Sequence, residues 1–184
     1  MIISYLMGME HPASGAERLD LSTAVHEAGH VAAHLYFGVA FVEVSIAATG
    51  LYEGRVLSTE VWHPPDGAAG QTLRYDPLAN HLITIKLAGP AARARYWGRS
   101  SADPGDYTDR SHALAIVDQM FTTREAASRQ AFIEFKIREA FDFVGDKDIW
   151  GFITLLAREL VKNKTLSYAR CHSLFPEQYV TPKC

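Results

Sequence analysis

Residues 22–37 read STAVHEAGHVAAHLYF and contain the pattern HEAGH at positions 26–30. Apolar residues recur through this segment at helical spacing, which predicts a helix with one buried face. Ser22 or Asp20 is suited to cap the start of the helix, and Gly38 is suited to end it. The segment therefore predicts a capped amphipathic helix near the beginning of the chain.

The polar residues of this helix have the spacing of a metal site. Residues four apart lie above one another on a helix, so His26 and His30 can bind a single ion. Glu27 follows the first histidine and is therefore a candidate general base that takes a proton from a metal-bound water. Gly29 lets another backbone or a substrate approach between the two histidines. The pattern predicts Zn²⁺ as the cofactor and hydrolysis as the chemistry.

The third metal ligand has to come from elsewhere, and without it the two histidines are only polar residues on a helix face. A metzincin needs a histidine six residues after His30, but Tyr36 occupies that position. A glutamate from a following helix is disfavoured, because the candidates all fall in strand-like segments: Glu43, Glu53 and Glu60. A distant carboxylate remains, and Asp109 is the best placed aspartate of the loop 103–109. Its spacing suits a helix cap equally well.

The rest of the sequence predicts a mostly helical α+β domain with a small antiparallel sheet. Residues 41–46 and 55–61 are strand-like and are separated by glycine turn signals at 50 and 54. Further helices are predicted at 78–97, 110–120, 123–144 and 148–162, with a short last one from residue 167. Pro90 is expected to kink or divide the second helix. Residues 63–77 and 99–109 are predicted to be loops.

Composition narrows the class of protein. The chain has 184 residues, of which 48% are hydrophobic, so it is expected to form one domain, 1–184. Its net charge of −3 is small and its basic residues are scattered, so neither nucleic acid nor an anionic membrane surface is a predicted partner. The apolar start, residues 1–7, is too short for a secretion signal, and no apolar run approaches the roughly 20 residues of a membrane span. With only two cysteines, Cys171 and Cys184, a reduced, cytoplasmic setting is expected.

Other polar side chains near these motifs have simpler interpretations. His34 lies a turn beyond His30, about 5.4 Å along the helix axis, and is expected to be packed or to support the site rather than to bind the ion. His112 is expected on the surface, with a ligand or a transition-state hydrogen-bond donor as the alternatives. Tyr107 is expected to anchor its loop. Cys171 and His172 are adjacent on a predicted helix and therefore do not form a nucleophile pair.

Several motifs occur in a fixed order along the chain. They are AVHEAGHV at 24–31, the strand-like 41–46 with Gly54, LAGPAA at 87–92 with Gly98, GDYTD at 105–109, and residues 156–160 with 165–167. In this order they resemble the HEAGH helix, the substrate-side strand and turn, the AGxxAE helix, the GASND segment and the closing helices of one peptidase domain. That domain belongs to the FtsH-type membrane-anchored AAA+ zinc metalloproteases, and the resemblance covers nearly the whole chain.

The resemblance implies a zincin-like, FtsH-type peptidase domain in which Asp109 is the third zinc ligand. It implies a zinc metalloendopeptidase that cleaves flexible or unfolded polypeptides, with residues 42–46 as the strand that pairs with substrate. It also implies a homo-oligomer, although the hexamer of that family relies on its ATPase ring, and a monomer or dimer stays open.

The sequence departs from the family in two ways. Arg93 stands where the family has a glutamate, which changes a charge near the metal. No ATPase module or membrane anchor is recognised in the sequence, so a separate ATPase or unfoldase is a candidate partner. The alternative function is a zinc-stabilised, non-catalytic interaction or regulatory module with the peptidase fold, which the intact Glu27 disfavours.

Overall fold

The computed structural model describes residues 15–47, 54–64, 76–99, 107–121 and 125–179. Six α-helices and three short strands lie within these ranges. In chain order they are α1 Gly15–Phe37, β1 Phe41–Ser45, β2 Arg55–Ser58, α2 Pro77–Tyr96, α3 Tyr107–Met120, α4 Ala126–Gly145, α5 Lys147–Asn163, β3 Thr165–Ser167 and α6 Tyr168–Leu174, followed by a 3₁₀ turn at Glu177–Tyr179. The prediction of a mostly helical protein with a small antiparallel sheet is confirmed.

Helix α1 is the central element of the fold, and it packs against α2 and α5. Every residue from 21 to 35 is buried, so the polar side of the helix is covered as well as the apolar side. The expectation of a single buried face was therefore incomplete. Burying histidine and glutamate side chains is unfavourable unless each finds a polar partner, so this polar side needs a chemical explanation. Gly38 ends the helix with φ +67°, as the sequence predicts.

Helices α1 and α2 cross in close contact at a glycine. A Cβ atom built on Gly29 would lie 2.7 Å from the carbonyl oxygen of Ala88 and 2.7 Å from the Cβ of Ala92. Only a residue without a side chain allows the two backbones to approach this closely. The small residue inside the HEAGH pattern thus sets the distance between the two helices, as the sequence predicts for the approach of another backbone.

Replacing Gly29 by alanine is expected to destabilise the protein, because the new methyl group collides with backbone atoms that cannot rotate away. Overpacking of this kind costs about 1–3 kcal/mol, whereas alanine recovers about 1 kcal/mol of helix propensity. We expect the free energy of unfolding in urea to fall by up to about 2 kcal/mol as the difference of these terms. Gly151→Ala in α5 is the matched control, since nothing lies within 4 Å of its Cβ position and it should gain stability. Equal effects of the two changes would contradict the close crossing.

The three strands form one antiparallel sheet in the order β2-β1-β3. Strand β1 pairs with β2 through Val44 and Val56, and with β3 through Val44 and Leu166. Both edges of β1 are therefore occupied, and the expectation that residues 42–46 pair with a substrate is wrong. The sequence resemblance could not distinguish an edge strand from a central one, because β3 joins the sheet from more than a hundred residues away. Strand β2 is the edge strand on that side.

The element boundaries differ from the sequence predictions in informative ways. Helix α1 begins seven residues earlier than predicted, at Gly15, and α3 begins at Tyr107 inside the predicted loop. Helix α2 continues through Pro90 and is not divided there. Buried packing against α1, α3 and α4 stabilises α2 across this position. The predicted turn at Gly50, most of the two predicted loops, Thr123 and Cys184 lie outside the described residues.

Candidate metal centre

Three side-chain atoms from two helices meet at one point of the fold. The Nε2 atoms of His26 and His30 lie 3.1 Å apart, and they lie 2.9 Å and 3.2 Å respectively from Oδ2 of Asp109. Both imidazoles come from α1, and the carboxylate comes from the first turn of α3. The structure therefore brings together the three residues that the sequence and the resemblance nominate as metal ligands.

The Nε2 atoms of His26 and His30 and the Oδ2 atom of Asp109 form a triangle, the ligand triangle, whose size suits a zinc ion. Zinc bound tetrahedrally by two imidazoles and a carboxylate at about 2.0–2.1 Å separates its ligand atoms by about 3.3 Å. The observed separations of 2.9–3.2 Å are only slightly shorter. The donor set of two nitrogens and one oxygen is typical of catalytic zinc sites, which leave the fourth position to water or substrate. The residues present thus fit the metal that the sequence motif implies.

The His30 ring nitrogen that points away from the ligand triangle, Nδ1, makes a hydrogen bond that determines which nitrogen carries the proton. Its Nδ1 lies 2.7 Å from the carbonyl oxygen of Ile85 in α2. A carbonyl oxygen only accepts hydrogen bonds, so Nδ1 carries the proton and donates it. A neutral His30 then presents the Nε2 lone pair to the Asp109 carboxylate, which is also an acceptor. Two facing acceptors repel one another, so the arrangement requires a cation between them, either a second proton on the imidazole or a metal ion.

A second glycine makes room for the His30 side chain. A Cβ atom on Gly89 would clash with the imidazole, since it would lie 2.6 Å from Cε1 and 2.7 Å from Cδ2. The ring therefore lies directly against the backbone of α2, next to the Ile85 carbonyl one turn earlier. Gly29 and Gly89 together allow α1 and α2 to pack around this imidazole. They explain why glycines recur in both the HEAGH and the LAGPAA segments.

Asp109 is the third residue of α3, inside the first turn, so it is not the cap that its spacing also allowed. Burial opposes ionisation of its carboxyl group. Hydrogen bonds from His30 and His26, together with the positive charge that these imidazoles carry when protonated, outweigh burial and hold the pKa of Asp109 well below its usual range. The carboxylate is therefore ionised at neutral pH. A negative charge in the first turn of a helix is also favoured by the helix dipole.

Glu27 is buried beside the triangle and is only 6% exposed. Burial raises the pKa of its carboxyl group above the ordinary value, although the charges of His26 and His30 act in the opposite direction. The carboxylate is covered by the residue that precedes β2, because a Cβ on Gly54 would lie 2.7 Å from Oε1 of Glu27. Glu27 is thus placed between the metal ligands and β2, one of the two edge strands of the sheet. A bound divalent cation would favour its ionised form.

His34 does not join the ligand cluster, as the sequence predicts. Its Nδ1 donates a hydrogen bond to the carbonyl oxygen of Val39 at 3.0 Å, and its ring packs beside Phe41. Burial lowers the pKa of His34 to about 4, so the imidazole is neutral in the folded protein at neutral pH. The residue fixes the turn between α1 and β1.

Replacing His34 by asparagine is expected to reduce the acid sensitivity of folding. In the unfolded chain a histidine binds a proton near pH 6.5, whereas in the fold its pKa is about 4. The unfolded state therefore binds more protons between these values, and the free energy of unfolding falls as pH drops from 6.5 to 4. The linked loss is about 3 kcal/mol for a shift of this size.

Urea unfolding at several pH values, in the presence of a chelator, measures this loss. The His34→Asn variant, whose amide can still donate to Val39, should lose distinctly less stability over that range than the wild-type protein. The exposed His112→Asn is the control. Parallel curves for the wild-type protein and the His34→Asn variant would contradict the assignment.

The other candidates lie away from the ligand triangle. His112 is exposed, in agreement with the expectation of a surface residue, and Tyr107 is 77% exposed at the start of α3. Burial raises the pKa of the Cys171 thiol to about 12, which makes it a poor nucleophile. Glu43 belongs to β1 and forms an ion pair with Arg55 at 3.7 Å. Within the ranges that the structure describes, these positions leave Glu27 as the candidate base beside the ligands.

Sequence reasoning missed two parts of this centre. The Ile85 carbonyl has no sequence signal, because any residue offers the same acceptor. The sequence marks Gly54 only as a turn residue and does not show that it covers Glu27, although a glycine just before a strand often marks a close approach.

Comparisons with known proteins add no assignment, since the chain matches no protein-family model and has no significant match among curated proteins.

Proposed function

We propose that the protein is a zinc-dependent endopeptidase with a zincin-like, FtsH-type peptidase domain. The observation that carries the proposal is the convergence of His26, His30 and Asp109 around one point that requires a cation, with Glu27 buried next to it. Two imidazoles and a carboxylate would hold the zinc ion. When bound, zinc supplies a Lewis acid that polarises the scissile carbonyl group and lowers the pKa of water.

The protein's own residues would perform the proton transfers and hold the ligands in position. The Glu27 carboxylate would accept a proton from the attacking water and donate it to the nitrogen of the leaving amine. The Ile85 carbonyl would keep the proton of His30 on Nδ1 and thereby keep Nε2 available as a ligand. Asp109 would supply the negative charge that the two neutral imidazoles lack.

Strand β2 is the candidate platform for the substrate. Within the described part of the chain it is one of the two edge strands of the sheet, and the residue before it, Gly54, covers the Glu27 carboxylate. An extended peptide could add to this edge by main-chain hydrogen bonds and so bring its backbone beside Glu27. A peptide bond inside a folded helix or sheet cannot be presented in this way. We therefore propose flexible or unfolded polypeptides as the substrate class.

Hydrolysis of an unfolded protein tests this function. The zinc-loaded protein is incubated with casein and with quenched fluorescent peptides, and the products are followed by fluorescence and mass spectrometry. We expect cleavage at internal peptide bonds, loss of cleavage after chelation, and recovery on adding zinc but not magnesium. Failure of the zinc-loaded protein to cleave either substrate would contradict a peptidase.

A further inference from the structure

Helix α2 presents positive charge along the side of the metal centre. The segment Pro77–Tyr96 contains Lys86, Arg93 and Arg95 but no aspartate or glutamate. Lys86 and Arg93 are seven residues apart, so they lie on the same face of the helix. Gly89 lies between them on this face, and it is the residue against which the His30 imidazole packs. The ligand His30 is therefore flanked along α2 by two cationic residues.

The crossing of the helices places Lys86 level with His30, one of the proposed zinc ligands. Gly29 lies against Ala88, and His30 lies against Ile85, whereas Phe37 stacks on His81 at 4.4 Å. The two helices are thus antiparallel, and Lys86, which lies between Ile85 and Gly89, is level with His30.

Electrostatic effects agree with this placement. Glu27 and His34 are seven residues apart and share one face of α1. Burial is the largest influence on the pKa values of both residues, and the Lys86 ammonium lowers both. Lys86 therefore acts on the side of α1 that carries the general base.

No acidic side chain in the described part of the chain pairs directly with Lys86. It is partly buried, and within the described residues its ammonium group forms no hydrogen bond or ion pair. The buried Lys136 shows the usual arrangement, because its Nζ lies 3.1 Å from Glu139 and 3.3 Å from the Thr84 hydroxyl. A partly desolvated cation without a partner is unfavourable, and a ligand that brings a negative charge would relieve this cost.

We propose that Lys86 binds a carboxylate of the polypeptide substrate beside the scissile bond. The inference rests on the proposed peptidase function and names a preference within it. The carboxylate belongs either to an aspartate or glutamate side chain or to the C-terminus of the substrate, since a lysine ammonium recognises both as point charges. Lys86 is thus a specificity-determining residue, and it lies on α2 rather than on the sheet.

Matched peptides test the preference. One series of quenched fluorescent peptides carries a single glutamate moved through every position, and a second series carries glutamine instead. Each peptide is made with a free and with an amidated C-terminus, which separates the two sources of the carboxylate. The enzymes are the zinc-loaded wild type, Lys86→Met, Lys86→Arg and Lys86→Glu. Lys162→Met, on the exposed surface of α5, is the control for loss of a lysine.

We expect the wild type to favour one carboxylate position by about five- to tenfold in kcat/KM, the size expected for a partly buried charge pair. The difference should lie in KM, because the contact is present in both the ground state and the transition state. Lys86→Arg should keep the preference, Lys86→Met should remove it, and Lys86→Glu should favour lysine at that position. Lys162→Met should behave as the wild type.

Binding to the Glu27→Gln variant gives a second readout that needs no turnover. Fluorescence anisotropy with the same peptides should show the same ranking, and the ranking should disappear in the Glu27→Gln/Lys86→Met double variant. If the wild type cleaves nothing, the peptidase function fails while this binding result still decides the role of Lys86. The inference is overturned if glutamate and glutamine peptides bind and react equally, or if Lys86→Met lowers kcat equally for both. The last outcome would mean that Lys86 acts through Glu27.

Discussion

Replacing Glu27 by glutamine is expected to lower kcat for peptide hydrolysis by about 100- to 10,000-fold, the usual contribution of a positioned general base. Glutamine has the same shape and fits the same space beneath Gly54, but its amide cannot accept and return the proton. Zinc binding should be unchanged, because Glu27 is not one of the three converging ligands. Stability should not fall, because the variant no longer buries an ionisable group.

Steady-state kinetics and zinc content, measured on the same preparations, check this prediction. Glu134→Gln, an exposed glutamate on α4, is the control for the chemical change and for contaminating proteases. Full activity in Glu27→Gln would remove the general base from the mechanism. A zinc-loaded wild type as inactive as the variant would instead favour the non-catalytic, zinc-stabilised module.

Removing the Asp109 carboxylate is expected to weaken zinc binding more than any change outside the ligand triangle. Substitutions beside a metal site typically cost 10- to 100-fold in affinity, so the loss of a ligand should exceed about 100-fold. The Asp109→Ala variant leaves two imidazoles without their anion. Asp109→Asn keeps the shape and one oxygen but removes the charge, so it should lie between the wild type and Asp109→Ala.

Competition of each variant with a zinc-binding dye measures these affinities. His112→Ala is the matched control, because it removes an exposed side chain one turn further along α3. It should bind zinc as tightly as the wild type. If His112→Ala lost zinc and Asp109→Ala kept it, the third ligand would be the histidine that the sequence also offered.

The local features of the centre could be predicted from the sequence because they depend on neighbouring residues. The spacing of His26 and His30 determines that both lie on one helical face, and Gly38 determines where that helix ends. The pairing of β1 with β2 follows from two strand-like runs close together in the chain. Helix α6 begins after Ser167, as predicted, because the serine side chain caps its first turn.

Features that depend on distant contacts could not be predicted in the same way. Strand β3 has only three residues and joins β1 through contacts such as the hydrogen bond between the hydroxyls of Ser45 and Thr165 at 2.8 Å. Nothing local marks Thr165 as a strand residue between two helices. The same contact makes β1 a central strand, which moves the candidate substrate platform to β2. Long-range pairing, rather than local propensity, determines which of the three described strands lies at the centre of the sheet.

The polar side of α1 illustrates why burial was underestimated. A helix with alternating apolar and polar faces normally leaves its polar face in water. Here α2 crosses that face at Gly29, and its own Gly89 makes room for His30. Because these two glycines have no side chains, α2 approaches α1 closely enough to exclude water from the polar face. Among the described residues, no helix is both long enough and apolar enough to cross a membrane.

The zinc content of the protein tests the central claim most directly. Elemental analysis is made on protein purified without chelator, on the same protein after addition and removal of excess zinc, and on the His26→Ala/His30→Ala variant. The arrangement of His26, His30 and Asp109 predicts close to one zinc per wild-type chain and almost none in the variant. A wild-type protein that binds no zinc even when it is supplied, or a variant that binds as much, would contradict the metal centre and the peptidase function with it.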